Sequence, residues 1–168
     1  VIAWANPAVI SYGTALSATQ LGASSTTAGS FSYTPAVGAI LPVGTDTLSV
    51  TFTPTDTATY TSVTQTATLT VSQATLTVTA ANASRAFGAA NPAFTATATG
   101  AQNGDTFTLT ASTTATASSP VGTYAITPLA AGSNLASYNV VYVDGTLTVG
   151  KATPVITWAN PAGISYGT

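Results

Sequence analysis

A strict two-residue alternation of apolar and hydroxyl side chains constrains this chain more than any other feature. Leu48, Val50 and Phe52 alternate with Thr47, Ser49 and Thr51. Ala67, Leu69 and Val71 alternate with Thr66, Thr68 and Thr70, and Ala74, Leu76 and Val78 with Thr75, Thr77 and Thr79. Phe107 and Leu109 fall between Thr106, Thr108 and Thr110. Successive side chains of a strand point to opposite faces, so each run offers one face to a core and one to water. Threonine suits the wet face because its β-branch fits an extended backbone. No segment repeats convincingly at 3.6 residues, and residues 111–119 are too rich in Thr and Ser to assign. The pattern predicts an all-β chain.

Turn chemistry separates the runs. Val143-Asp144-Gly145-Thr146 predicts a two-residue hairpin turn joining Tyr138–Val143 to Thr146–Val149. Asn103-Gly104-Asp105 predicts a second turn before Thr106. Pro54-Thr55-Asp56 and Gly132-Ser133-Asn134 each lead, four residues on, to a tyrosine, Tyr60 and Tyr138. Both are expected to anchor a sandwich corner, ring buried and hydroxyl on nearby backbone.

The chain repeats itself on two scales. Val1 to Thr14 returns as Val155 to Thr168, a period of 154, with differences only at Ala3/Thr157 and Val9/Gly163. Inside that period Pro42-Val43-Gly44-Thr45 returns as Pro120-Val121-Gly122-Thr123, an offset of 78. The same offset carries Tyr60 onto Tyr138 and Leu69-Thr70-Val71 onto Leu147-Thr148-Val149. The C-terminal halves of two modules thus share one pattern, and their N-terminal halves do not align at this offset. The expected organisation is two tandem small Ig-like β-sandwich modules, 1–73 and 74–151, with 152–168 supplying the first strand of a third. The joints, Val71-Ser72-Gln73-Ala74 and Val149-Gly150-Lys151-Ala152, carry no flexible Gly/Ser run, which predicts a stiff rod. A module of about 75 residues buries only roughly 60% of its unfolded surface, so contact between neighbours is expected to add stability.

Composition limits the chemistry. Asp46, Asp56, Asp105, Asp144, Arg85 and Lys151 are the only charged side chains, giving a net charge of −2. With no basic patch, nucleic acid is not an expected partner. Cys, His and Met are absent, which removes disulfides, thiolate chemistry and the commonest zinc ligands. A serine nucleophile would lack a base, since Lys151 is the only amine side chain and lies at a joint. Asp56 and Asp144 stand in turn contexts, where aspartate hydrogen-bonds its own backbone. Calcium would need several more carboxylates than Asp105, Asn103 and Asp46 provide. A Lys–Asn isopeptide bond would put Lys151 in a core rather than between modules. No enzyme, cofactor or metal is therefore expected. Apolar stretches are short and broken, so no membrane-spanning helix is expected in this segment.

The aromatics Trp4, Tyr12, Phe31, Tyr33, Trp158 and Tyr166 admit two readings, core and joint packing or a sugar-stacking platform. Trp4 and Trp158 occupy the same repeat position, each followed by Ala-Asn-Pro, which suits a joint. Trp4, Tyr12, Tyr60, Tyr138 and Trp158 are the structural and joint candidates.

Trp4-Ala5-Asn6-Pro7, Ile10 to Thr14, Leu48 to Pro54 and Asp56 to Tyr60 resemble the bacterial Ig-like repeats found in tandem in long surface proteins. Phe87-Gly88, Asn91 to Phe94, Gly104-Asp105, Pro120 to Tyr124 and Tyr138 to Val149 resemble an MBG domain of the YGX type, with Phe87 where that family usually has Tyr. The resemblance implies an exported, adhesin-like or filamentous bacterial surface protein and no catalytic residues. The expected function is a structural repeat unit of an extracellular fibre, whose partners are neighbouring modules and, if strand edges pair, identical chains. The alternative is a carbohydrate-binding adhesin module, with a glycan as partner.

Overall fold

A computed structural model describes residues 2–160 together with 162, 163, 166 and 167. The repeat positions Val1, Pro161, Ile164, Ser165 and Thr168 lie outside the described residues. The described residues are all-β apart from one short 3₁₀ turn, Leu135–Ser137. Its strands are β1 Ile2–Ala3, β2 Ile10–Ser11, β3 Ser24–Ser25, β4 Gly29–Thr34, β5 Gly44–Pro54, β6 Val63–Ser72, β7 Ala74–Ala80, β8 Ala83–Ala86, β9 Ala96–Thr99, β10 Thr108–Ser112, β11 Gly122–Ala131, β12 Tyr138–Val143 and β13 Gly145–Gly150.

No strand ladder crosses Gln73. Before it, a four-stranded sheet of order β2-β6-β5-β4 faces the short β1-β3 pair; after it, β10-β11-β13-β8 faces β12-β7-β9. Each pair of sheets closes on its alternating apolar faces. Leu48, Val50, Leu69 and Val71 fill the first unit, and Leu76, Val78, Ile126, Leu147 and Val149 the second, all at 2% exposure or less. Their threonine neighbours Thr68, Thr70, Thr75, Thr127, Thr146 and Thr148 point to water.

The two units are built on one register. Gly44 pairs with Val71 and Leu48 with Ala67 across β5 and β6; Gly122 pairs with Val149 and Ile126 with Gly145 across β11 and β13. Every one of these positions is related by 78. The N-terminal halves correspond as well, at a different offset. Ile10 lies beside Val71 in parallel, and Arg85 beside Val149. Tyr12 N–H then donates to Ser72 O at 2.8 Å, and Phe87 N–H to Gly150 O at 2.9 Å. Tyr12-Gly13 and Phe87-Gly88 are thus the same structural position at an offset of 75, and both glycines have left-handed φ, +92° and +80°. Three residues inserted between the halves hide this from an ungapped alignment.

The Asp-Gly pair does not make a hairpin. β12 runs parallel to β7 in one sheet, while β13 lies between β11 and β8 in the other. Asp144-Gly145 carries the chain from sheet to sheet. Glycine is needed there for space: a Cβ on Gly145 would sit 2.6 Å from Ala81 O and 2.8 Å from Ala80 O. The Asn103-Gly104 turn does form, with φ of +56° and +75° and Asp105 N–H donating to Gln102 O at 2.8 Å.

Residues 152–160 form no strand. Their counterpart β1 pairs with β3 in the first unit.

Candidate functional site

β6 ends at Ser72 and β7 begins at Ala74, so one residue joins the two units. Gln73 does not hang free: its Nε2 donates to Ala136 O of the second unit at 3.0 Å. The turn after β2 lies beside this joint and delivers Tyr12 and Gly13 onto the second unit.

The Tyr12 ring packs against the cores of both units. It meets Tyr138 edge-to-face with centroids 5.5 Å apart, and Tyr138 meets Phe107 in the same manner at 5.3 Å. Edge-to-face contact sets the positive rim of one ring against the negative face of the next. Gly13 lies flush on Gln102: a Cβ there would come within 2.7 Å of Gln102 Cβ. Its left-handed φ and this close approach both demand glycine.

Asp105 ties the aromatics together. Tyr12 donates its hydroxyl to Oδ2 at 3.2 Å and Tyr138 donates to the same oxygen at 2.6 Å. Asn134 Nδ2 donates to Oδ1 at 2.5 Å, and the Tyr138 hydroxyl accepts from Gln102 N–H at 2.8 Å. The Tyr138 bond, followed by that of Asn134, holds the Asp105 carboxyl below its usual 3.8. Burial, then the bond to Asp105, pushes the Tyr138 hydroxyl above its usual 10.0. Both carboxylate oxygens of Asp105 are engaged by side chains, so its role here is to brace tyrosines.

The other candidates divide. Tyr138 is 3% exposed and forms the corner just described. Tyr60, its counterpart, is 50% exposed: its loop stands at the opposite pole of the first unit, where nothing covers the ring. Asp56 holds that loop by accepting from Ala58 and Thr59 N–H, both at 3.1 Å. The hydroxyl of Thr59, then its backbone, keeps Asp56 below the ordinary carboxylate range. Trp4 is not at the joint. Its Nε1 donates to Gln20 O at 3.1 Å, and its ring meets Tyr33 edge-to-face inside the first unit. Phe31 stacks between Tyr33 and Phe52 there. Trp158 is 86% exposed.

Two features escape residue-type reasoning. Beside Tyr60, a shallow hollow of about 270 Å³ is lined by Ile2, Phe52, Pro54, Tyr60 and Val63 among others. At the far end of the second unit Arg85 is buried, donating to Asn91 Oδ1 at 2.6 Å and to the carbonyls of Ala86 and Thr116. Asn91 passes the brace on to Ala115 O at 2.6 Å. A lone Arg in an Arg-Ala-Phe-Gly stretch gives no signal of burial.

Residues 76–148 match the MBG domain (YGX type) family. That span covers the second unit from within β7 into β13. No curated protein matches the chain. Among solved structures, the fibronectin(III)-like modules of Clostridium thermocellum CbhA align over 96% of this chain and 100% of theirs, at 11% identity and a TM-score of 0.29.

Proposed function

We propose that this chain, with its MBG-type second unit, is a structural repeat unit of a long extracellular bacterial fibre or surface protein, supplying length and stiffness. The observation that carries the reading is the seam. One residue joins the units, and that residue, a tyrosine wedge, a flush glycine and a shared carboxylate all resist bending there. A flexible tether would leave the two units to tumble separately. The near-identity of Val1–Thr14 and Val155–Thr168 supports repetition of the pair along the chain.

Lateral self-assembly has its own support. β12 lies at the edge of its sheet, and Val141, Tyr142 and Val143 are 41–42% exposed along it. An apolar, uncharged edge offers little resistance to pairing with another strand.

Electron microscopy of the native surface protein tests the reading. Straight fibres whose length grows in fixed steps with repeat number are the expected result. Coiled or collapsed chains would overturn it. Mass per length decides assembly: a value matching one chain removes lateral pairing.

A further inference from the structure

We infer that Phe87-Gly88 docks into the hollow beside Tyr60 of the next copy of this two-unit repeat, making a second seam that follows the plan of the first. The inference rests on reading the chain as a repeat unit.

The internal seam defines a pair of complementary positions. The knob is the aromatic-glycine turn after the strand that runs parallel to the last strand of a unit, Tyr12-Gly13. The socket is the pole of the following unit around Tyr138. Both positions recur. Phe87-Gly88 is the knob at the far end of the second unit, fixed by the same backbone bond to the unit's last strand. Tyr60 stands at the socket position of the first unit, related to Tyr138 by 78. In the internal seam Gln102 covers the glycine; around Gly88 a Cβ would meet nothing within 4 Å, and Phe87 is 46% exposed. Among the described residues of the two units, Phe87-Gly88 and the Tyr60 pole are the knob and the socket without a partner, at opposite ends of the pair.

Chemistry matches the two halves. Tyr12 carries a hydroxyl and finds Asp105. Phe87 has none, and the hollow that would receive it has no carboxylate in its wall, where Ile2, Phe52, Pro54 and Val63 stand among Thr27, Thr59 and Thr61. A ring without a hydroxyl needs no acceptor from that wall. Charge agrees as well. Lys151 occupies the place of Gln73, whose amide reaches Ala136; the matching loop of the first unit holds Ala58 and, at the Asn134 position, Asp56. One of the chain's two cations is thus carried toward one of its four carboxylates. The 154-residue period places a first-type unit after the second, so knob and socket of successive copies meet head-to-tail, a contact that propagates.

The chain has no cysteine, so paired single-cysteine variants of the full chain test this directly. Ala89→Cys, beside Gly88, is mixed with Thr61→Cys, beside Tyr60, under mild oxidation, and in parallel with Leu129→Cys, a control 59% exposed on a sheet face, so that the Phe87 and Tyr60 rings are kept. All three sites are exposed, and circular dichroism confirms folding of each variant. Docking brings the two thiols into disulfide range and raises their local concentration, so the Ala89→Cys/Thr61→Cys heterodimer should form about tenfold faster than the control pair. Equal rates would overturn the second seam. They would leave the fibre reading standing so long as the native protein still images as a straight rod.

Discussion

Removing the Tyr12 ring should uncouple the two units while leaving each folded. Tyr12 is half-buried, and full burial of a large apolar side chain contributes about 1.5–3 kcal/mol, so its share is about 1 kcal/mol. The edge-to-face pair with Tyr138 adds about 1 kcal/mol. Tyr12→Ala thus costs the seam about 2 kcal/mol, which raises the open population by about 30-fold. Tyr12→Phe keeps the ring and should cost less, because Asp105 retains Tyr138 and Asn134. Backbone nitrogen-15 relaxation reads the effect: in Tyr12→Ala the two units should lose their shared rotational correlation time, and in Tyr12→Phe largely keep it. Unchanged joint tumbling in Tyr12→Ala would refute the wedge and leave the stiffness to Gln73 and the Gly13–Gln102 contact.

Acid should open the same seam. The folded carboxyl of Asp105 lies below its usual 3.8, so its contribution is present above that value and is lost as pH falls below 3.8 through the folded value; relaxation measured at pH 5 and pH 2 checks it. At the alkaline end the raised Tyr138 hydroxyl gives stability that is full below 10.0 and falls as pH rises from there through the folded value. Gly145→Ala should destabilise the second unit by about 2 kcal/mol in urea titration, because the added methyl overlaps the Ala80 and Ala81 carbonyls. Asp46→Val should stabilise the first unit by about 1 kcal/mol in the same assay. Asp46 Oδ2 is a buried oxygen without a partner on an inward-facing strand position.

The long strands were legible because alternation is a property of one strand alone. β5, β6 and β7 fall where Leu48–Phe52, Ala67–Val71 and Ala74–Val78 place them. Pairing is a property of two strands, and there local signals misled. Asp144-Gly145 carries a hairpin dipeptide, but the neighbour that decides its geometry is Ala80–Ala81, more than sixty positions away. Tyr60 and Tyr138 share a sequence context and differ in burial because only Tyr138 has a unit standing on it. Trp4 suits a joint by repetition, yet a residue that recurs once per 154-residue period serves the interior of the first-type unit equally well. The seam was half visible: Tyr12 and Tyr138 stood out as aromatics, while Asp105, Gly13 and Gln102 are common types whose meeting depends on two turns converging. The correspondence of Tyr12-Gly13 with Phe87-Gly88 was readable at an offset of 75, masked by the three-residue insertion that shifts the rest to 78.

The account stands on the two units forming one stiff body. Residual dipolar couplings measured on the whole chain in a weakly aligning medium test this most directly. Couplings from residues 2–72 and 74–150 should fit a single alignment tensor with the two units in the orientation set by the Tyr12–Tyr138 contact. Two tensors of different magnitude would show the units moving independently, and the rod would then be beads on a string.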